Sequence, residues 1–211
     1  MKSMTFFYGA GLLVGTAVLI GCAASEPSAD HAAAYAEDTH DVTRKHVRIA
    51  ANDSQAEAFW LLRDSISPAE RAIGPAMQHD ISVPVSRMAD FVAAALPAVE
   101  QRFPGSSALA FGHLGDGNVH FHVLAPGDAT PGEWEDGEGK HISAFVHDLV
   151  TEWGGSISAE HGIGQMKRDE LGRLGDPVSL ALMRSVKQAL DPRGLFNPGK
   201  LLPLAQTGVK P

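Results

Sequence analysis

The run Ala110 to Val123, AFGHLGDGNVHFHV, restricts the fold of this chain more than any other stretch. An apolar run ends at Gly112 and His113, Asp116-Gly117 is a strong signal for a two-residue hairpin turn, and Asn118 to Val123 alternates polar and apolar as a half-buried strand does. With that turn, position 115 pairs with 118, 114 with 119, and His113 with His120. Directly opposed residues have Cβ atoms about 4.5–5.5 Å apart, so two imidazoles are expected to meet over one hairpin. His122 falls on the same face as His120, because strand side chains alternate. A lone histidine is an ordinary surface or core residue, but three on one hairpin face predict a metal or catalytic site.

A second run, GGSISAEHGIG from Gly154 to Gly164, sets Glu160 beside His161 between glycines. Taken with the hairpin, His113, His120 and Glu160 form a two-imidazole, one-carboxylate set. A structural zinc site closes all four positions, usually with cysteine, whereas this set leaves one open, as catalytic sites do. The only cysteine is Cys22, which excludes both an intrachain disulfide and a cysteine-based zinc cluster.

The rest of the chain reads as one globular domain behind a leader. Residues 1–22 have a lysine, an apolar glycine-rich run and Leu19-Ile20-Gly21-Cys22, similar to a secretory signal with a lipoprotein cleavage box. A transmembrane anchor, or an upstream frame joined to a shortened gene, reads equally from these residues. A genuine lipoprotein leader implies anchoring in a bacterial cell envelope; otherwise the chain is expected to be cytoplasmic. Residues 23–50 are Ala, Ser, Asp, Glu and His with few large apolar side chains, and read as a flexible tether. The domain is expected over 51–204, with a tail from 205 to 211. A net charge of −8 without a basic run excludes nucleic acid as a partner.

Within the domain, periodicity predicts a short helix over Ser54 to Ser65 that ends before Pro68, a strand near Asp80 to Val83, and a helix from a Ser86 cap to Arg102 that Pro97 kinks. The hairpin follows, then a polar loop over Pro126 to Gly139. A helix is expected over His141 to Trp153 with His141 and His147 at its surface, another around Gln165 to Arg173, and one over Pro177 to Leu190 capped by Asp176. This order predicts an α+β fold, an antiparallel sheet with helices on one face.

GHLGDGNVH, SAEHGIG and LDPRGLFNPGKLLP, in this order, resemble the C-terminal part of the FAD-linked oxidases of the vanillyl-alcohol oxidase type, most similar in the branch of D-2-hydroxyglutarate, D-lactate and glycolate dehydrogenases. The resemblance covers about Asn52 to Pro203 and implies a ferredoxin-like cap domain over a flavin. The FAD itself is expected from a larger domain outside these residues or from a flavin-binding partner chain. It further implies that Arg63 and Ser67 contact the carboxylate of a small 2-hydroxy acid, although periodicity alone makes Arg63 a surface residue. Gln78 stands where such dehydrogenases commonly carry a substrate-binding lysine, and His122 where they often have asparagine, so both are candidate substrate contacts with altered chemistry. Asn197 would lie near the flavin, or would simply belong to a Pro-Gly turn.

The functional expectation is the substrate- and metal-binding part of an FAD-dependent enzyme that oxidises a D-2-hydroxy acid to the 2-oxo acid. In that scheme zinc or another divalent ion sits on His113, His120 and Glu160, and His161 serves as general base. Two alternatives use the same residues: a non-catalytic metal-binding lipoprotein or remnant without FAD, and a zinc hydrolase.

Overall fold

The computed structural model describes residues 5–9 and 50–202. Cys22, residues 23–49 of the proposed tether and the whole 205–211 tail therefore lie outside the described residues. No helix among the described residues is long and apolar enough to cross a membrane.

In chain order the elements are β1 (Thr5–Gly9), α1 (Asp53–Asp64), α2 (Ile66–Ile73), β2 (Ala76–Ser82), a 3-10 turn (Val85–Arg87), α3 (Met88–Arg102), β3 (Ser107–His113), β4 (Asn118–Leu124), a π-helical turn (Glu135–Gly139), α4 (Lys140–Glu152), α5 (Arg168–Leu174) and α6 (Pro177–Leu190). The strands form one antiparallel sheet in the order β1-β3-β4-β2. From β2 to α4 the path is β-α-β-β-α, with β4 between its two partners, as in a ferredoxin-like unit. A single bridge from Ser82 to Ser156 continues the sheet past β2.

One sheet face is the hydrophobic core. Helix α3 presents Met88, Phe91, Val92, Ala95, Leu96 and Val99, an i, i+3, i+4 stripe, and α4 adds Ile142, Val146 and Val150. They pack on Ile81, Ala108, Ala110, Val119, Phe121 and Val123, all buried. Each large side chain so buried contributes roughly 1.5–3 kcal/mol. That leaves the opposite face to carry Asp80, Phe111, His113, Asn118, His120 and His122.

Several expectations need correction. The first helix does end before Pro68, at Asp64, but Pro68 itself sits in the first turn of an unexpected second helix, α2, where its missing N–H costs nothing. Ser86 lies in the 3-10 turn and caps no helix; α3 starts after Arg87 without a side-chain cap. Pro97 does lie inside α3, which ends at Arg102 as expected. His147 is buried, not superficial, because α5 folds over it and Glu170 Oε2 sits 3.1 Å from its Nδ1. Asp176 does cap α6, accepting from the Ser179 amide at 2.8 Å.

Candidate functional site

The β3–β4 register differs from the expected one: His113 pairs with Asn118, and His120 with Phe111. The turn is longer because the amides of Asp116 and Gly117 both reach back to the His113 carbonyl, and Asp116 accepts from the Asn118 amide at 3.0 Å. Gly117 adopts φ 75°, and a Cβ there would lie 2.1 Å from the Val83 carbonyl oxygen, so only glycine lets the turn meet the residue that follows β2. The slip is two residues, an even number, so every side chain keeps its face. His113 and His120 become diagonal neighbours instead of opposed ones, with ring centroids 5.9 Å apart.

Glu160 arrives at these two rings from the loop after α4. Its Oε1 lies 3.8 Å from His113 Nε2 and its Oε2 3.8 Å from His120 Nε2. The potential ligand atoms of His113, His120 and Glu160 all fall within 4.8 Å of one another. Zinc–nitrogen and zinc–oxygen bonds are about 2.0–2.2 Å, so groups 3.8 Å apart can share one ion without backbone movement. Burial holds the His120 imidazole down to about 4, reinforced by Arg63, His122 and His113 against the pull of Asp80. It is therefore neutral at pH 7, the form a metal ligand must have.

The loop is held by Asp80, whose importance the sequence did not disclose. Its Oδ2 accepts from three consecutive backbone amides, Ala159 at 3.2 Å, Glu160 at 2.9 Å and His161 at 2.7 Å. Its Oδ1 accepts from Asn118 Nδ2 at 2.8 Å and faces His120 Nδ1 at 3.8 Å. Burial pushes the Asp80 carboxyl up, but the His161 amide, Asn118, the His161 imidazole and the Ala159 amide outweigh it, holding it below the usual carboxylate range. Lys167 Nζ donates to the Asp80 carbonyl at 3.2 Å and to Ser158 Oγ at 3.3 Å, and Ser158 Oγ donates to the His161 carbonyl. His161 itself is exposed, with Nδ1 3.9 Å from Asp80 Oδ2.

The substrate candidates lie on or above the same face. Arg63 at the end of α1 stands over the Phe111 ring, 5.3 Å from its centroid, and its buried Nε has no hydrogen-bond partner. Phe111 in turn lies between His120 and His122, at centroid distances of 5.0 and 5.1 Å. Ser67 is half-buried in α2, one turn before Glu70. Gln78 is exposed on β2, directly opposite His122 in the ladder. His122 is closed off: Glu70, 2% exposed, places both carboxylate oxygens 2.7–2.8 Å from its Nδ1. The glutamate was missed because it sits beyond Pro68, where no helix was expected. Asn197 belongs to an exposed left-handed turn at φ 45°, its carbonyl accepting from the Lys200 amide.

The site thus offers two imidazoles and a carboxylate spaced for one cation, an arginine with an unused donor 5.3 Å above an aromatic ring, and an exposed imidazole on the rim. That set can hold a divalent ion, bind a carboxylate and move a proton. Known proteins include clear relatives of this chain. The model of the family described as FAD linked oxidases, C-terminal domain, matches residues 13–201. The chain is 37% identical over 155 residues to a probable mitochondrial D-2-hydroxyglutarate dehydrogenase of Oryza sativa subsp. indica, covering 74% of this chain and 26% of the relative. It is 38% identical over 153 residues to a D-2-hydroxyglutarate dehydrogenase of Xanthomonas citri pv. viticola, covering 72% and 32% respectively. A D-2-hydroxyglutarate dehydrogenase of Stutzerimonas stutzeri is 35% identical over 153 residues, with the same coverage of 72% and 32%. The chain therefore spans between a quarter and a third of the length of these relatives.

Proposed function

The chain belongs to the family of FAD linked oxidase C-terminal domains, and from that membership we propose that it forms the substrate- and metal-binding part of an enzyme that oxidises a D-2-hydroxy acid to the 2-oxo acid. The observation that carries the reading is the convergence of His113, His120 and Glu160, with both His–Glu separations at 3.8 Å. A divalent ion bound to these three residues would act as a Lewis acid toward the substrate hydroxyl and lower its pKa, while FAD, supplied by a flavin-binding partner chain or domain, would accept the hydride from C2.

This chain's residues do the rest. Arg63 binds the substrate carboxylate through its guanidinium, which the Phe111 face below orients. Ser67 adds a hydroxyl donor from α2. His161 takes the hydroxyl proton on Nε2, its Nδ1 turned toward the Asp80 carboxylate, which stabilises the imidazolium formed. Asn197 and the exposed α6 face, with Val178, Leu182 and Val186 more than half exposed, suit contact with a flavin-holding partner better than contact with water. The relatives are named as dehydrogenases, which favours oxidation over a hydrolytic use of the same cluster.

The test is complementation. The full chain, combined with the flavin-binding half of a D-2-hydroxyglutarate dehydrogenase, is expected to reduce a dye acceptor with D-lactate or D-2-hydroxyglutarate, and to lose at least about 100-fold in kcat/KM in His161→Ala, the scale of a lost general base. Turnover no greater than that of the flavin half alone, with either acid and with added zinc, contradicts the reading.

A further inference from the structure

We propose that Asp80 is the positioning residue of this site, one buried carboxylate that sets the orientation of His120, Glu160 and His161 together. The inference rests on the metal-site reading for its consequence, but its geometry is independent of any bound ion. Asp80 is 4% exposed and lies in β2 directly opposite His120. The loop from Ser156 to Gly164 has no regular secondary structure beyond its bridge to Ser82, so its shape must come from side-chain contacts.

Three successive amides aimed at a single oxygen form a backbone nest for an anion, and here the anion is a side chain from a strand about 80 residues earlier. The nest fixes the backbone of Glu160, and so brings its carboxylate to His113 and His120. The second oxygen works on the other side. It anchors Asn118, the cross-strand partner of His113, and draws His120 Nδ1 toward itself, which leaves Nε2 turned to Glu160. A carboxylate behind a ligating imidazole selects the tautomer and the ring angle, and its loss commonly weakens metal binding about 10–100-fold. Lys167, donating to the Asp80 carbonyl and to Ser158, ties the same strand to the same loop from below.

The test compares wild type, Asp80→Ala and Asp80→Asn in the full chain, first without metal and then with zinc. Amide hydrogen exchange without metal should show Ala159, Glu160 and His161 protected in wild type and released at least about 100-fold in Asp80→Ala, with Asp80→Asn between them because its amide oxygen still accepts. Exchange in β4 should be unchanged. Zinc affinity, read by competition with a chromophoric chelator, should fall about 10–100-fold in Asp80→Ala and recover partly in Asp80→Asn. Equal exchange at the three amides in wild type and Asp80→Ala overturns the proposal. So does unprotected exchange of those amides in wild type, a measurement that needs no variant to fold. If wild type binds no zinc, the metal reading fails by itself, and the exchange comparison still decides Asp80.

Discussion

Two histidine–carboxylate groups share one sheet face and are built in opposite ways. His122 and Glu70 are sealed, 6% and 2% exposed, with two oxygens 2.7–2.8 Å from one nitrogen. His113, His120 and Glu160 keep 3.8 Å between nitrogen and oxygen, and the Glu160 side chain is half exposed. The first group has satisfied itself and is closed to water, which is how a structural pair looks. The second is spaced for something between its atoms and reachable from outside, which is how a binding site looks. The difference comes from the carriers: Glu70 is delivered by a helix, Glu160 by an irregular loop whose Ala159–His161 backbone is clamped by Asp80.

If that contrast is correct, removing a histidine from each group has different consequences. His120→Ala should have the largest effect, lowering zinc content from one per chain to nearly none by elemental analysis while the circular dichroism spectrum stays unchanged, because the ladder does not use the imidazole. Retention of full zinc in that variant breaks the comparison on its open side. His122→Ala should cost about 3 kcal/mol or more in urea unfolding, since a buried carboxylate loses its partner, with zinc stoichiometry retained. A cost under about 1 kcal/mol would show that Glu70 is not held as a buried charge.

The core-facing His79 sharpens the sealed side. Burial and the neighbouring His147 hold it down to about 3, and its nitrogens meet the Phe121 carbonyl at 2.9 Å and Ser143 Oγ at 3.0 Å. Its folded value lies below its unfolded one of 6.5, so the unfolded chain takes up the proton first as pH falls. Stability is therefore full above about pH 6.5 and declines toward pH 3, by roughly 1.4 kcal/mol per pH unit from this group. Unfolding midpoints measured at pH 7, 6 and 5 should fall less steeply in His79→Gln than in wild type; identical slopes would remove His79 from the account. The smallest effect is expected on α6, where Leu182→Ser should alter stability by no more than about 0.5 kcal/mol, because Leu182 is 62% exposed. The same change should weaken association with a flavin-binding half.

How much of this was legible in the sequence follows from the range of each interaction. The bounds of β4, the face shared by His113, His120 and His122, and the Asp176 cap depend on neighbours along the chain, and periodicity reads such neighbours directly. The register slip did no harm because an even shift preserves facing. Asp80 was invisible as a site residue because its amide partners lie 79 to 81 positions away. Glu70 and His122 are 52 apart, and His147 was assigned to the surface because the helix that covers it supplies Glu170 from 23 positions on. Motif order pointed to Glu160, but only the clamp explains why it reaches the hairpin.

The central claim is that His113, His120 and Glu160 bind one ion together, and X-ray absorption at the zinc edge of the zinc-loaded full chain tests it most directly. The account predicts one zinc per chain with two imidazole nitrogens at about 2.0–2.1 Å and oxygen ligands at about 2.0–2.2 Å. A chain that binds no zinc at stoichiometric concentration, or a shell with fewer than two imidazoles, contradicts it.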